Sequence, residues 1–153
     1  MTVMRSSLGA ITVLAALALP RLVLADPCKL EISGNDQMQF DKHELWISAG
    51  CKEVTLTLHH SGKLAKEIMG HDWVLVNAAD LSAVASAGMG AGLANDYVAP
   101  ADKRVLARTK VIGGGESTSV TFPTSSLKVG GAYKYLCTFP GHYATMNGTF
   151  KFG

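Results

Sequence analysis

Ten residues near the C-terminus, Cys137-Thr138-Phe139-Pro140-Gly141-His142-Tyr143-Ala144-Thr145-Met146, put a thiol, an imidazole and a thioether into one short stretch of chain. A soft sulfur, imidazoles and a weak thioether form the donor set of a mononuclear blue-copper centre, which needs a second histidine to complete a trigonal plane. His71, in Met69-Gly70-His71-Asp72-Trp73, is the best candidate, because it opens an expected strand whose end would lie beside the Cys137 loop. Zinc also accepts cysteine and histidine, but it favours strong tetrahedral ligands and has little use for a thioether. The donor set therefore points to one copper per chain. Pro140-Gly141 lets the loop fold back, since proline fixes one dihedral and glycine reaches conformations closed to other residues. His142 follows that turn and is the ligand expected to reach the surface.

The elements that must position these donors read as strands. Leu30–Ser33, Glu44–Ser48, Glu53–His59, Trp73–Asn77, Val105–Thr109, Ser117–Phe122, Ala132–Leu136 and Gly148–Phe152 are short, and most alternate apolar with polar side chains. Gly34-Asn35, Ser61-Gly62, Gly113-Gly114-Gly115 and Gly130-Gly131 supply turns between several of them. About eight such strands predict an all-β sandwich. Between Asp80 and Asp102 the pattern changes to a short helical insertion, capped by Asp80, running through Leu81, Val84 and Ala85, and stopped by the glycines at 88, 90 and 92. A chain of 153 residues, 48% hydrophobic and 17% charged, suits a single domain with a sizeable core. No basic stretch suited to nucleic acid is present, and no apolar run reaches the roughly 18 residues of a spanning helix.

Residues 1–25 read as a cleaved signal peptide: Arg5 precedes the apolar run Leu8–Leu19, and Val23-Leu24-Ala25 fits a peptidase site. Cleavage after Ala25 would leave a copper-binding domain over residues 26–153. Arg5 and Arg21 leave with the leader, which brings the 14 basic side chains level with the 12 acidic ones. Steering toward a strongly charged partner is then not expected. Outside the cytoplasm three cysteines imply one disulfide and one protected thiol. Pairing Cys28 with Cys51 closes a short loop, worth about 3 kcal/mol in the chain-entropy account, and leaves Cys137 for the metal.

Gly34-Asn35-Asp36-Gln37-Met38-Gln39-Phe40, Met69-Gly70-His71, Trp73-Val74-Leu75, Cys137–His142 and Met146 together make the expected mature chain resemble the azurin family of bacterial blue-copper proteins, within the cupredoxins. The resemblance implies an eight-stranded Greek-key sandwich with a helical flap, the Cys28–Cys51 disulfide and a type-1 copper. It implies His71, Cys137 and His142 as equatorial ligands, Met146 as a distant axial ligand, and the Gly70 carbonyl approaching from the other side. Asp72, Thr138 and Phe139 would surround and hold these donors. Met38, Met69, Met89, Phe139, Pro140 and Ala144 would form an apolar docking patch around His142, suited to brief contacts with several partners. The family's members are periplasmic one-electron carriers that serve c-type cytochromes and, in some organisms, denitrification enzymes such as nitrite reductase. The implied protein is thus an electron carrier, not an enzyme: a monomer forming transient complexes, without membrane insertion.

Some residues depart from the family pattern. Asp72 stands where the family commonly has asparagine; an ionised carboxylate there would favour oxidised copper and lower the potential. His60 aligns with a histidine whose titration is linked to copper in some members, whereas the adjacent His59 and the isolated His43 match no motif. Trp46 replaces a smaller residue, and no motif assigns it a function. A multicopper enzyme would need a second metal cluster, which five histidines cannot supply while leaving the first intact. No nucleophile elbow or Ser-His-Asp arrangement appears. Copper storage or delivery without redox work is the alternative, although such proteins present exposed sulfur for exchange.

Overall fold

Alternation of apolar and polar side chains builds the sheets directly. In β3 (Glu53–His60), Val54, Leu56, Leu58 and His60 turn inward, while Thr55, Thr57 and His59 turn outward. The outward row is tied to β6 (Ser117–Pro123) by hydroxyl contacts, Thr55 to Thr121 at 3.0 Å and Thr57 to Ser119 at 2.9 Å. The computed structural model describes residues 28–153, so the expected leader lies outside the described residues. β1 (Lys29–Gly34) pairs in parallel with β3, and β6 lies antiparallel on the other side, giving a three-stranded sheet.

The second sheet has five strands in the order β2 (Glu44–Ile47), β8 (Asn147–Phe152), β7 (Tyr133–Leu136), β4 (Val74–Asn77) and β5 (Val105–Arg108). β2 and β8 run parallel, the other pairs antiparallel. Neighbours distant in sequence, such as β2 with β8 and β4 with β7, are what a Greek-key path through two layers produces. Ile32, Leu56, Leu58, Trp73, Leu75, Tyr135 and Phe150 fill the space between the sheets with no exposed surface. The Trp73 indole stacks between Phe122 and Tyr135, each 6.0 Å away. All eight expected strands are present, and the ends differ by a residue or so. β4 starts at Val74, and β7 starts only at Tyr133, after the turn at Gly130.

The helical insertion forms differently in two respects. α2 (Leu81–Ala91) runs straight through Gly88 and Gly90 and stops at Gly92, whose φ of 71° is open to glycine at little cost. Gly88 sits in the helix because a Cβ there would collide with the Tyr97 carbonyl oxygen. Asp80 flanks the helix without a side-chain cap; its carboxylate instead accepts from Asn77 Nδ2 at 3.3 Å. Val84 and Ala85 of α2 pack on Val74, Val76 and Leu136, so β4 is buried on both faces. A further four-residue helix, α1 (Lys66–Met69), precedes the first expected ligand loop and carries no strong sequence signal. At the other end the Cys28–Cys51 disulfide ties the start of β1 to the segment before β3, with the two Cα atoms 5.5 Å apart. Among the described residues no helix is long and apolar enough to cross a membrane.

Candidate metal centre

Three segments meet at one end of the sandwich: the loop after β1, the stretch before β4, and the β7–β8 loop. Cys137 follows β7 immediately, and its N–H donates to the Met146 carbonyl at 2.9 Å, closing the loop on itself. Inside that closure Gly141 takes a φ of 84°, and the Met146 N–H donates to the His142 carbonyl at 2.8 Å. His71 does not open β4 but lies three residues before it, held by paired backbone bonds with Ile112 of 3.0 and 2.9 Å. The bridge brings its imidazole to the Cys137 loop all the same.

One donor atom from each of His71, Cys137 and His142 lies within 4.8 Å of the others. Cys137 Sγ is 3.9 Å from His71 Nδ1 and 3.6 Å from His142 Nδ1. His71 and Cys137 have no exposed surface, and His142 retains only 2%. His142 is therefore the most accessible of the three, as its turn suggested, although it is still buried. The His71 Nε2–H donates to the Asn35 carbonyl at 2.8 Å, which leaves Nδ1 of the neutral ring with a free lone pair facing the sulfur. Burial pushes both imidazoles down to about 4, so they are neutral at ordinary pH. Burial, with the nearby Asp72 carboxylate, pushes the Cys137 thiol well above its usual value. Two neutral nitrogens around one buried sulfur, with the His71 proton directed away, suit a thiophilic metal that displaces the thiol proton.

Met146 is fully buried, and its methyl end lies by His71: a Cβ on Gly34 would stand 2.7 Å from His71 Cδ2 and 3.2 Å from Met146 Cε. The Gly70 carbonyl oxygen is 4.0 Å from Cys137 Sγ. A side chain at Gly70 would collide with the Lys66 carbonyl and Val111, which accounts for the glycine. Weak oxygen and thioether groups thus accompany the nitrogen and sulfur donors.

Residues 26–153 match the family of copper binding proteins described as plastocyanin/azurin. The chain belongs to that family. It is 51% identical to the azurin of Bordetella pertussis over 144 residues, 94% of this chain and 95% of that protein. With the azurin of Pseudomonas aeruginosa it shares 49% over 146 residues, covering 95% and 97%. Among solved structures, an azurin (Az-iso2) of Methylomonas sp. strain J superimposes with a TM-score of 0.80 at 43% identity, covering 82% of this chain and 98% of that one. The protein is accordingly a blue-copper protein with a site for one copper, from a family of electron carriers rather than enzymes.

The surrounding residues show how the family's loops are tied together in this chain. Asp72 is completely buried and accepts twice from Thr138, from its N–H at 2.7 Å and from its hydroxyl. That pair links the residue after His71 to the residue after Cys137. Burial raises Asp72 to about 6 even though the Thr138 donors favour its charged form. Phe139 is buried against the His142 ring at 4.6 Å and meets Tyr97 edge-on at 5.1 Å. His60 is buried with its ring stacked on His71 at 4.2 Å; its Nε2 donates to the Met69 carbonyl at 2.7 Å and its Nδ1 accepts from the Gly62 N–H at 3.0 Å. His59 lies away from this cluster, bonded to Ser117 Oγ at 2.8 Å.

Of the expected docking patch, Met38, Met89, Pro140 and Ala144 are exposed, Met69 is half-buried and Phe139 is buried. Met38 is anchored to the ligand loop through its carbonyl, which accepts from Thr145 Oγ1 at 2.9 Å. Sequence reasoning missed Leu64 and Ile68, exposed apolar side chains on the segment that leads into Gly70. Their signal is a run of apolar residues among lysines, Lys63-Leu64-Ala65-Lys66, with no strand partner to bury them. It also missed Asn35, whose backbone carbonyl orients His71, because a main-chain role leaves no mark on side-chain identity.

Proposed function

We propose that His71 Nδ1, Cys137 Sγ and His142 Nδ1 would hold the copper, with the Met146 thioether and the Gly70 carbonyl as weaker donors beside them. Bound copper supplies a reversible one-electron exchange between Cu(II) and Cu(I). The observation that carries this reading is the convergence of two neutral imidazoles on a buried thiol, with the proton of His71 held elsewhere by Asn35. Asn35, Ile112 and the Asp72–Thr138 pair hold the donor loops in place, so little rearrangement accompanies a change of charge. Phe139 and the surrounding apolar side chains exclude water, which lowers the local dielectric and leaves the His142 edge as the route to a partner.

In this reading the chain is exported, loses residues 1–25 and works as a periplasmic carrier, taking electrons from and delivering them to c-type cytochromes or an enzyme such as nitrite reductase. Met38, Met69, Met89, Pro140 and Ala144, over the buried Phe139 and extended by Leu64 and Ile68, form the apolar surface for those brief encounters. His60, stacked on the His71 ring at 4.2 Å, backs the first histidine donor. The burial of Cys137 argues against storage or delivery, where the sulfur must be reached for exchange.

Addition of Cu(II) to the purified protein, followed by a mild reductant and then an oxidant, tests the core of the reading. An intense blue thiolate-to-copper band that bleaches and returns is the expected result. Bound copper without that band would overturn the ligand assignment. Intact mass of the protein recovered from a periplasmic extract checks the cleavage after Ala25.

A further inference from the structure

The outer face of the five-stranded sheet is only partly covered. α2 packs over β4 and the Leu136 end of β7, and beyond it the face carries the half-buried Lys134 and Thr149 and the exposed Lys151 and Trp46. Register aligns these residues. Lys134 pairs with Thr149 across β7 and β8, and Trp46 pairs with Lys151 across β8 and β2. A groove of about 540 Å³ runs between the Trp46 indole and the Val129–Gly131 turn, and Ala78 and Ala132 are among the residues that line it. Trp46 is 54% exposed and Val129 67%, the two largest apolar exposures in this part of the molecule. An indole left in water on a strand whose other large apolar side chains, Leu45 and Ile47, are buried is not explained by packing.

We propose that this groove binds an amphipathic organic anion whose flat apolar body lies against Trp46 and whose carboxylate or sulfonate sits at the ammonium groups of Lys134 and Lys151. The volume falls in the range of small-molecule sites, which are mostly apolar with a few placed polar groups. Charge sets the sign of the ligand. Among the described residues no carboxylate forms an ion pair with Lys134. Lys151 holds only Glu44, at 2.7 Å, in a pair more than half exposed on both sides, a contact weak enough to yield to a ligand. The indole face adds stacking to an aromatic body. The small alanines of the lining leave room for that body beside the sheet. Its near edge, Lys134 and Thr149, lies three residues from Cys137 and Met146, about 10 Å at ~3.3 Å per residue along β7 and β8, so it is separate from the copper site and does not depend on the function proposed for it.

The test uses the copper-loaded protein in its reduced, diamagnetic form, with 2-naphthylacetate as the probe and 2-naphthylmethylammonium as its cationic counterpart, followed by proton–nitrogen NMR. Saturable shifts at the Trp46 indole N–H and at the Ala132 and Lys134 amides are expected, with the cation at least tenfold weaker. Trp46→Ala and Lys134→Glu should each weaken the anion at least tenfold while leaving the blue absorption unchanged. Several results would overturn the proposal: no saturation at millimolar probe, shifts confined to the Phe139–Ala144 loop, equal affinity for anion and cation, or variants that bind as before. A concentration-dependent dimer in sedimentation velocity that Trp46→Ala abolishes would assign the face to a second copy and equally overturn it.

Discussion

The two ends of this sandwich hold their loops by different means. At the copper end, three loops are joined by hydrogen bonds between buried polar groups: His71 to Asn35, Asp72 to Thr138, Cys137 to Met146. At the opposite end the chain is joined covalently by Cys28–Cys51, and the neighbouring turn at Gly130 lies open to solvent. The difference follows from what each end must do. A metal site needs lone pairs aimed at one point and protons kept away from it, which only directional hydrogen bonds can arrange. A closure without a site needs only that the chain not fray, and a cross-link acts mainly by restricting the unfolded state. Changes at the copper end should therefore alter spectrum and metal affinity, whereas changes at the other end should alter stability alone.

Cys137→Ser is the strongest challenge to that division. It should abolish the intense visible band completely, while unfolding of the metal-free protein by denaturant shifts only modestly; a retained blue band would break the comparison. Removing the disulfide with Cys28→Ala and Cys51→Ala should cost about 3 kcal/mol of stability and leave the absorption maximum unmoved. A spectral shift in that variant would mean the two ends are mechanically coupled.

Next in size is Asp72→Ala, which leaves the buried Thr138 N–H and hydroxyl without an acceptor. It should cost about 1–3 kcal/mol and weaken copper binding about 10- to 100-fold, measured by competition with a chelator. Asp72→Asn keeps an acceptor for the N–H and offers a donor to the hydroxyl, so the spectrum should persist while the potential rises; an equal or lower value by voltammetry would refute the charge argument.

Acid sharpens the same contrast in the metal-free protein. His71 and His142 sit near 4 when folded, below the ordinary histidine value of 6.5, so the unfolded chain binds more protons between those limits. Stability contributed by the neutral imidazoles is therefore lost as pH falls from about 6.5 to 4. Asp72, raised to about 6 from 3.8, has the opposite sign, because the folded state takes up its proton first. Two groups oppose one, and the net loss should be on the order of 1 kcal/mol per pH unit, steeper in Asp72→Asn; denaturant titrations at stepped pH would read both slopes. Smallest of all, Trp46→Ala should change stability by less than about 0.5 kcal/mol, as expected for an exposed side chain, with no effect on colour.

Much of this molecule was legible in the order of its residues. The alternation in Glu53–His60 and Ser117–Pro123 marks half-buried strands because a strand's period of two is local. Cys137, His142 and Met146 fall on one loop because a Pro-Gly turn lets so short a segment close. The helix limits were less legible. Gly88 and Gly90 look like stops, but α2 runs through both; the approach of Tyr97 makes glycine a packing requirement at 88, a Cβ at 90 would meet open space, and Asp80 gives its carboxylate to Asn77 rather than to the helix. α1 stayed hidden because four residues carry too little periodicity to separate from a turn.

By itself the sequence determined the donor types, their spacing on the last loop, the strand count and the one thiol left for a metal. Tertiary structure alone decided which histidine nitrogen faces the sulfur, how far the imidazoles shift from their ordinary values, that Asp72 spans two loops, and that Trp46 stays in water. The physical reason lies in range. Periodicity and turns arise from neighbours along the chain, whereas tautomer, charge state and exposure are set by contacts such as His71 with Asn35, 36 residues apart, and Asp72 with Thr138, 66 apart.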